Sequence, residues 1–174
     1  LRQVRRPRLV ALDTMNYWIE NSPGELREAI GRVDILMVNE GEIRMLTGEY
    51  NLVKAARTVM GWGPVRVVIK RGEYGVLQIS DGAMFAAPAY PLETIFDPTG
   101  AGDSFAGGFM GFLAGRAGKE PTDMDFRLAT MYGSAIASFT VEAFSTERLQ
   151  NLTPEEIAER SEEHTSELQS QFRI

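Results

Sequence analysis

Three short apolar runs, at residues 9–12, 33–38 and 65–70, each break off into a polar loop, and segments with helical spacing lie between them. Strands that alternate with helices are joined by crossovers, which lay the strands parallel. Their nearly unbroken apolar composition suits strands buried on both faces. Two further runs, 76–80 and 83–87, flank Asp81-Gly82, a pair that favours the tight turn between twisted antiparallel strands. The fold class that follows is α/β: a mostly parallel sheet flanked by helices, with one hairpin late in the order.

Local punctuation marks the helices. Ser22-Pro23-Gly24-Glu25 signals a start, Leu26, Ala29 and Ile30 supply an apolar face, and Gly31 signals the end. A short helix after Asn39 closes at Gly48, and another over 52–60 closes at Gly61 and Gly63-Pro64. Further on, Phe105, Phe109, Phe112 and Leu113 fall on one helical face and are expected in the core, with Gly107, Gly108 and Gly111 leaving room for close packing. After a loop over 115–121, residues 124–141 form a long helix rich in Ala, Gly and Ser, and Thr153-Pro154-Glu155-Glu156 starts a last one.

With 174 residues and 44% hydrophobic content the chain can bury one substantial core, and one domain is expected. No apolar run is long enough to span a membrane and no secretory signal is recognisable, so the expected setting is the cytoplasm, without a membrane partner. The lack of cysteine excludes disulfides and thiolate metal sites. A net charge of -6 argues against nucleic acid as a partner, and the cluster Arg2, Arg5, Arg6 and Arg8 is expected to be a solvated lead-in to the first strand. Because the chain enters that strand almost at once and without a methionine, it is expected to be part of something longer. Residues 160–170 resemble the in-frame translation of a common sequencing-library adapter. The native segment is therefore expected to end near Glu159, with 160–174 a non-native tail that removes His164, the only histidine, from any catalytic role.

The stretch that carries chemistry is Asp97-Pro98-Thr99-Gly100-Ala101-Gly102-Asp103-Ser104-Phe105. Gly100 and Gly102 allow successive N–H groups to converge on an anion, and the helix that follows adds its free N–H groups and positive dipole end. Asp103 places a carboxylate at that junction, within reach of a hydroxyl beside a phosphoryl group. Its plainer reading is an N-terminal helix cap.

The stretch resembles the second signature of the ribokinase-like (PfkB) carbohydrate kinases, Asp-Thr-x-Gly-Ala-Gly-Asp followed by a small residue and Phe, with Pro98 the one departure within that core. Two further family features stand upstream in order: Asn39-Glu40-Gly41-Glu42 as the Asn-x-x-Glu element, and Val68-Ile69-Lys70-Arg71-Gly72 as the strand-to-glycine nucleotide loop. The resemblance covers about residues 9–152. It implies a ribokinase-like three-layer fold truncated at its N-terminus, and an ATP-dependent kinase that phosphorylates a primary hydroxyl of a sugar or nucleoside. Asp103 would orient the acceptor hydroxyl and accept its proton, and Gly100, Ala101 and Gly102 would give N–H groups to the transferred phosphoryl. Glu42, with Asn39, would hold Mg²⁺ through water; its plainer reading is a solvated helix acid.

The resemblance also places Lys70, Arg71 and Gly72 along the nucleotide. Related kinases commonly carry a hydroxyl residue where Lys70 stands, so a surface cation is the other reading of that side chain. Asp97 and Thr99 fall where relatives help bind a monovalent cation such as K⁺, with residues 141–145 as the facing loop, although that loop lacks the usual glycine. Tyr132 and Gly133 would approach the adenine or simply pack their helix. The resemblance implies that the sugar-binding residues and lid lie mainly in an N-terminal half, which the residues before Leu9 are not expected to supply. Dimerisation of the full-length protein stays open. So do two rival readings, a non-catalytic nucleotide- or sugar-binding relative and a fragment inactive on its own.

Overall fold

A computed structural model describes residues 5, 7–116, 118 and 120–171, with side chains described up to residue 166. Arg2 and Arg6 of the basic cluster, Ala117 and Lys119 of the loop over 115–121, and residues 172–174 of the tail lie outside the described residues. Arg5 and Arg8 are exposed, as a solvated lead-in requires. Composition suggests a single core, yet the chain divides into two compact units, Leu1–Gly72 with Val76–Ala86, and Glu73–Gly75 with Ala87–Ile174.

The first unit is built on a five-stranded sheet in the order β1-β2-β3-β4-β5, with β1 Ala11–Asp13, β2 Ile35–Asn39, β3 Arg66–Lys70, β4 Val76–Ser80 and β5 Ala83–Ala87. β1, β2 and β3 run parallel, and their register sets Asp13 beside Met37 and Asn39 beside Lys70. β4 lies antiparallel to β3. β5 follows it through the two-residue turn Asp81-Gly82, a connection short enough only for an antiparallel neighbour. α2 (Pro23–Ile30), α3 (Glu40–Thr47) and α4 (Leu52–Met60) supply Leu26, Ile30, Ile43, Ala55, Ala56 and Val59 to a core completed by Leu36, Val38, Val67, Ile69 and Ile79 of the sheet. Removing each large aliphatic side chain here from water stabilises the fold by roughly 1.5–3 kcal/mol. Ile35, Met37 and Val68, which point to the opposite face, are buried as well, so the middle strands are covered on both sides as their composition requires.

One helix departs from the sequence reading. Residues 17–21, to which the sequence pattern assigns no element, form α1 (Asn16–Asn21) together with the end of the polar loop that follows the first apolar run. It has no side-chain cap and no acid in its first turn, and its formation rests on burial of Ile19 in the core. The ends of α2, α3 and α4 fall at Gly31, Gly48 and Gly61 as their glycines indicate.

The second unit centres on α5 (Ala101–Gly115) and α6 (Asp123–Thr140), followed by α7 (Glu147–Gln150) and α8 (Pro154–Gln171). Phe105, Phe109 and Leu113 are buried, and the Phe109 ring stacks on Phe126 of α6 with centroids 6.4 Å apart. Phe112 is only half-buried and meets Tyr132 instead. Of the three glycines expected to permit close packing, Gly108 does so: a Cβ there would lie 2.9 Å from Ile136 Cγ1 and 3.1 Å from Gly133 Cα. Gly107 and Gly111 do not, since a Cβ at either would meet nothing within 4 Å. α8 continues through the stretch that reads as adapter, which has neither Pro nor Gly to stop it. Arg160 stacks on Phe139 at 3.5 Å and pairs with Glu142 at 2.6 Å, while His164 is buried edge-on to Tyr90 with Nε2 3.1 Å from the Pro88 carbonyl.

Candidate functional site

Candidate residues fall into two groups, one in each unit. In the second unit the chain reaches α5 through Asp97, whose Oδ1 accepts the Thr99 N–H at 2.9 Å and so shapes the turn. Gly100 then takes a left-handed conformation (φ 81°) at the N-cap of α5. A side chain there would meet nothing within 4 Å, so the backbone angle and not space calls for glycine. The cap provides no side chain to the first turn, and the N–H groups of Gly102 and Asp103 have no partner within the helix. Asp103 is exposed in that same first turn. Free N–H groups behind a glycine corner can donate to an anion at a helix start, and the exposed carboxylate beside them can accept from a hydroxyl.

Asp97 is held below the usual carboxylate range, first by the Thr99 backbone N–H and then by the Thr99 hydroxyl, with a backbone bond from Ser145 adding to both. The Phe96 N–H donates to the Val141 carbonyl at 2.8 Å, which brings the loop expected to face Asp97 into place. Ser145 in that loop adopts φ 56°, the only positive value for a non-glycine among the described residues. A position whose backbone suits glycine is thus filled by a residue that bears a side chain. The loop's lack of glycine was visible in the sequence; its left-handed serine was not.

Tyr132 and Gly133 sit on α6 and take part in its packing. The Tyr132 ring lies 5.6 Å from Phe112, and a Cβ on Gly133 would come within 2.8 Å of the Phe105 carbonyl oxygen.

In the first unit the group gathers where β1, β2 and β3 end, the side of a parallel sheet on which ligands bind. Asn39 closes β2 and caps α3: its Oδ1 accepts the Glu42 N–H and its own N–H donates to Glu42 Oε2, both at 2.8 Å. Glu42 is therefore a buried acid, 6% exposed, and not the solvated one its type suggests. Burial pushes its carboxyl up, against the lowering effect of the Asn39 N–H and of Lys70; Asp13 pushes it up further.

Lys70 ends β3 and forms an ion pair with Asp13 at the end of β1, with β2 between them. It is thus neither a free surface cation nor a side chain directed to solvent. Arg71 pairs with Glu40, which also holds Arg44. Gly72, at φ 58°, opens a single 3-10 turn over Gly72–Tyr74.

Asp13 is the residue that sequence reasoning passed over. An acid that directly follows an apolar run, at the end of a parallel strand, was the available signal. Its neighbour Thr14 carries a buried hydroxyl oxygen with no hydrogen-bond partner. Among the described residues no three His, Cys, Asp or Glu side chains gather as a protein-only metal cage. Glu42 keeps one carboxylate oxygen outside its cap bond, and a hard oxygen donor of this kind fits Mg²⁺, which retains waters and takes one or two carboxylates beside phosphate oxygens. Among the described residues no helix is long and apolar enough to cross a membrane.

Comparison with known proteins identifies the fold and the family. A cytidine kinase from Thermococcus kodakarensis is 51% identical over 94 residues, 52% of this chain and 34% of that protein. The crystal structure of ribokinase from Thermotoga maritima superposes with a TM-score of 0.72 at 27% identity, over 91% of this chain and 50% of that one. Aminoimidazole riboside kinase from Salmonella enterica, solved with aminoimidazole riboside and an ATP analog, gives 0.75 at 25% identity over 88% and 52%. The chain thus spans about half the length of the solved relatives, and its matched stretch about a third of the cytidine kinase. The fold is that of the ribokinase-type kinases, a mostly parallel sheet flanked by helices. Residues 10–152 match the model of the pfkB family carbohydrate kinases, and this chain belongs to that family.

Proposed function

We propose that the chain carries the nucleotide-binding and catalytic part of an ATP-dependent phosphotransferase that acts on a primary hydroxyl of a sugar or nucleoside. The observation that carries this reading is the start of α5: a left-handed Gly100, an uncapped first turn and an exposed Asp103 within it. The identity with a cytidine kinase supports a nucleoside as the acceptor.

In this reading the N–H groups of Gly100 and Gly102 meet the negative charge that builds on the transferred phosphoryl group, and that of Ala101, which donates to the Pro98 carbonyl at 3.2 Å, joins them on leaving that bond. The first two are fixed before the reaction, so they stabilise its transition state without reorganising. Asp103 accepts the hydrogen bond of the acceptor hydroxyl and aims its oxygen; a carboxylate at a helix N-terminus is a weak base, so orientation is its larger contribution. When bound, Mg²⁺ would supply neutralisation of the phosphate charge. Glu42, turned by its bond from Asn39, would hold that ion through water. By the family resemblance the backbone from Lys70 to Gly72 would contact the nucleotide, Tyr132 and Gly133 would approach its base, and Asp97 with Thr99 would help hold a monovalent cation such as K⁺. Residues 160–174 take no part in this chemistry, being adapter-derived; an adapter-free DNA read that spells them would overturn that assignment.

The test uses the full-length protein that contains this segment. ATP-dependent phosphorylation of a panel of nucleosides and sugars, followed by ADP release, is expected to show turnover with nucleosides. Asp103→Asn is expected to lower kcat by about a hundredfold or more with little change in ATP binding. An Asp103→Asn enzyme at the wild-type rate would remove Asp103 from its role. Calorimetric binding of nucleotide with no turnover by the wild type would replace the kinase reading by that of a binding module.

A further inference from the structure

The ends of β1, β2 and β3 hold two carboxylates, Asp13 and Glu42, and one ammonium, Lys70. Lys70 and Asp13 are 57 positions apart in sequence, and their ion pair crosses over β2 at 2.5 Å. Both side chains are largely withdrawn from solvent, at 17% and 24% exposure. Water therefore screens the pair less than it would a surface bridge. Glu42 feels both partners: its carboxylate is stabilised by Lys70 and opposed by Asp13. One oxygen of Asp13 accepts the Thr14 N–H and the other meets Lys70. Glu42 Oε2 accepts the Asn39 N–H, and Oε1 is outside that bond. Of the two acids, only Glu42 has an oxygen outside such bonds.

We propose that Lys70 is a charge-setting positioning residue that withdraws Asp13 from metal binding and leaves Glu42 as the carboxylate that meets the divalent cation. This rests on the kinase reading of Glu42, but not on turnover. With Lys70 in place the group carries one net negative charge, a weak seat for a free divalent cation and an adequate one for a cation that arrives on phosphate. Without Lys70 it would carry two, a seat able to capture the metal alone. Without Asp13 the ammonium would be released toward Glu42 and compete with the metal. The two single substitutions should therefore act with opposite sign, which a purely structural ion pair would not do.

The experiment is a titration of the full-length protein with Mn²⁺ and no nucleotide, read by the loss of free-ion electron paramagnetic resonance signal. Lys70→Met is expected to tighten Mn²⁺ about tenfold, Asp13→Asn to weaken it about tenfold, and the double variant to return near wild type, the scale of one unit charge at close range under partial screening. Lys70→Arg should keep the wild-type affinity, and circular dichroism of each variant confirms that it folds. Should Lys70→Met fail to fold, Asp13→Asn alone decides. Unchanged Mn²⁺ affinity in the folded single variants would overturn the proposal, as would a Lys70→Met protein whose only defect is a raised KM for ATP at saturating metal. An absence of kinase activity in the wild type would instead count against the proposed function and leave the order of Mn²⁺ affinities as a separate result.

Discussion

Asn39 and Glu42 bond each other twice across the first turn of α3, each backbone N–H donating to the other's side chain at 2.8 Å. The same four-residue stretch thus starts a helix and orients an acid. Asn39→Ala deletes one of the two bonds and loosens the other. It should cost about 1 kcal/mol, measured by urea denaturation, and raise the Mg²⁺ concentration needed for half-maximal activity of the full-length protein.

Glu42→Gln should separate stability from function. Burial raises the Glu42 carboxyl above its ordinary 4.5, so the folded state binds the proton more tightly than the unfolded chain. Stability from this group is present at low pH and is lost as pH climbs from 4.5 through the raised value. A glutamine preserves the cap through its carbonyl oxygen and carries no buried charge. At pH 7 the variant should be more stable than wild type by about 0.5–2 kcal/mol, with the gap closing toward pH 4.5 in denaturant melts. Metal-dependent turnover should be largely lost.

Gly100→Ala tests the corner before α5. The site is spacious, so the cost is that of a left-handed alanine, about 1–2 kcal/mol. A D-alanine placed there by chemical ligation should recover stability, because it accepts φ 81° without strain.

Gly75→Ala should be far more damaging. A Cβ would fall 2.0 Å from the Ala87 carbonyl oxygen and 2.5 Å from Pro88 C, with φ already at 82°. Neither neighbour is a flexible side chain. A loss above about 3 kcal/mol is expected, seen as poor soluble yield or a large drop in Tm.

Much of the fold was legible because the pattern was local. The apolar runs that became β2 through β5 and the glycines after α2, α3 and α4 needed no knowledge of distant contacts. α1 was not legible: Asn16 to Asn21 has no cap and little periodicity, and it is helical because Ile19 is buried in a core built from residues as far away as Ile79. For the site, the turn from Asp97 to Asp103 and the Asn39 to Glu42 element were readable as motifs, and the latter also has the spacing of a capping box. Asp13 with Lys70 was not, since strand order alone brings them together. Nor could spacing reveal that Gly108 and Gly133 meet while Gly107 and Gly111 face open space.

That glycine seam has a mechanical consequence. Gly108 lies two turns into α5, where a Cβ would come 3.1 Å from Gly133 Cα, and a Cβ on Gly133 would come 2.8 Å from the Phe105 carbonyl oxygen, a backbone atom that would have to shift. α5 is then a stiff lever, pinned at the seam, with Asp103 on its short arm. A methyl group on Gly133, set 2.8 Å from the Phe105 carbonyl oxygen, would tilt that arm from the α6 side without touching the carboxylate. Displacements near 1 Å can cost about a hundredfold in rate. On the role proposed for Asp103, its aim is set partly by the thickness of a neighbouring helix, and relatives with a different residue at the seam should carry a compensating change at position 105 or 108.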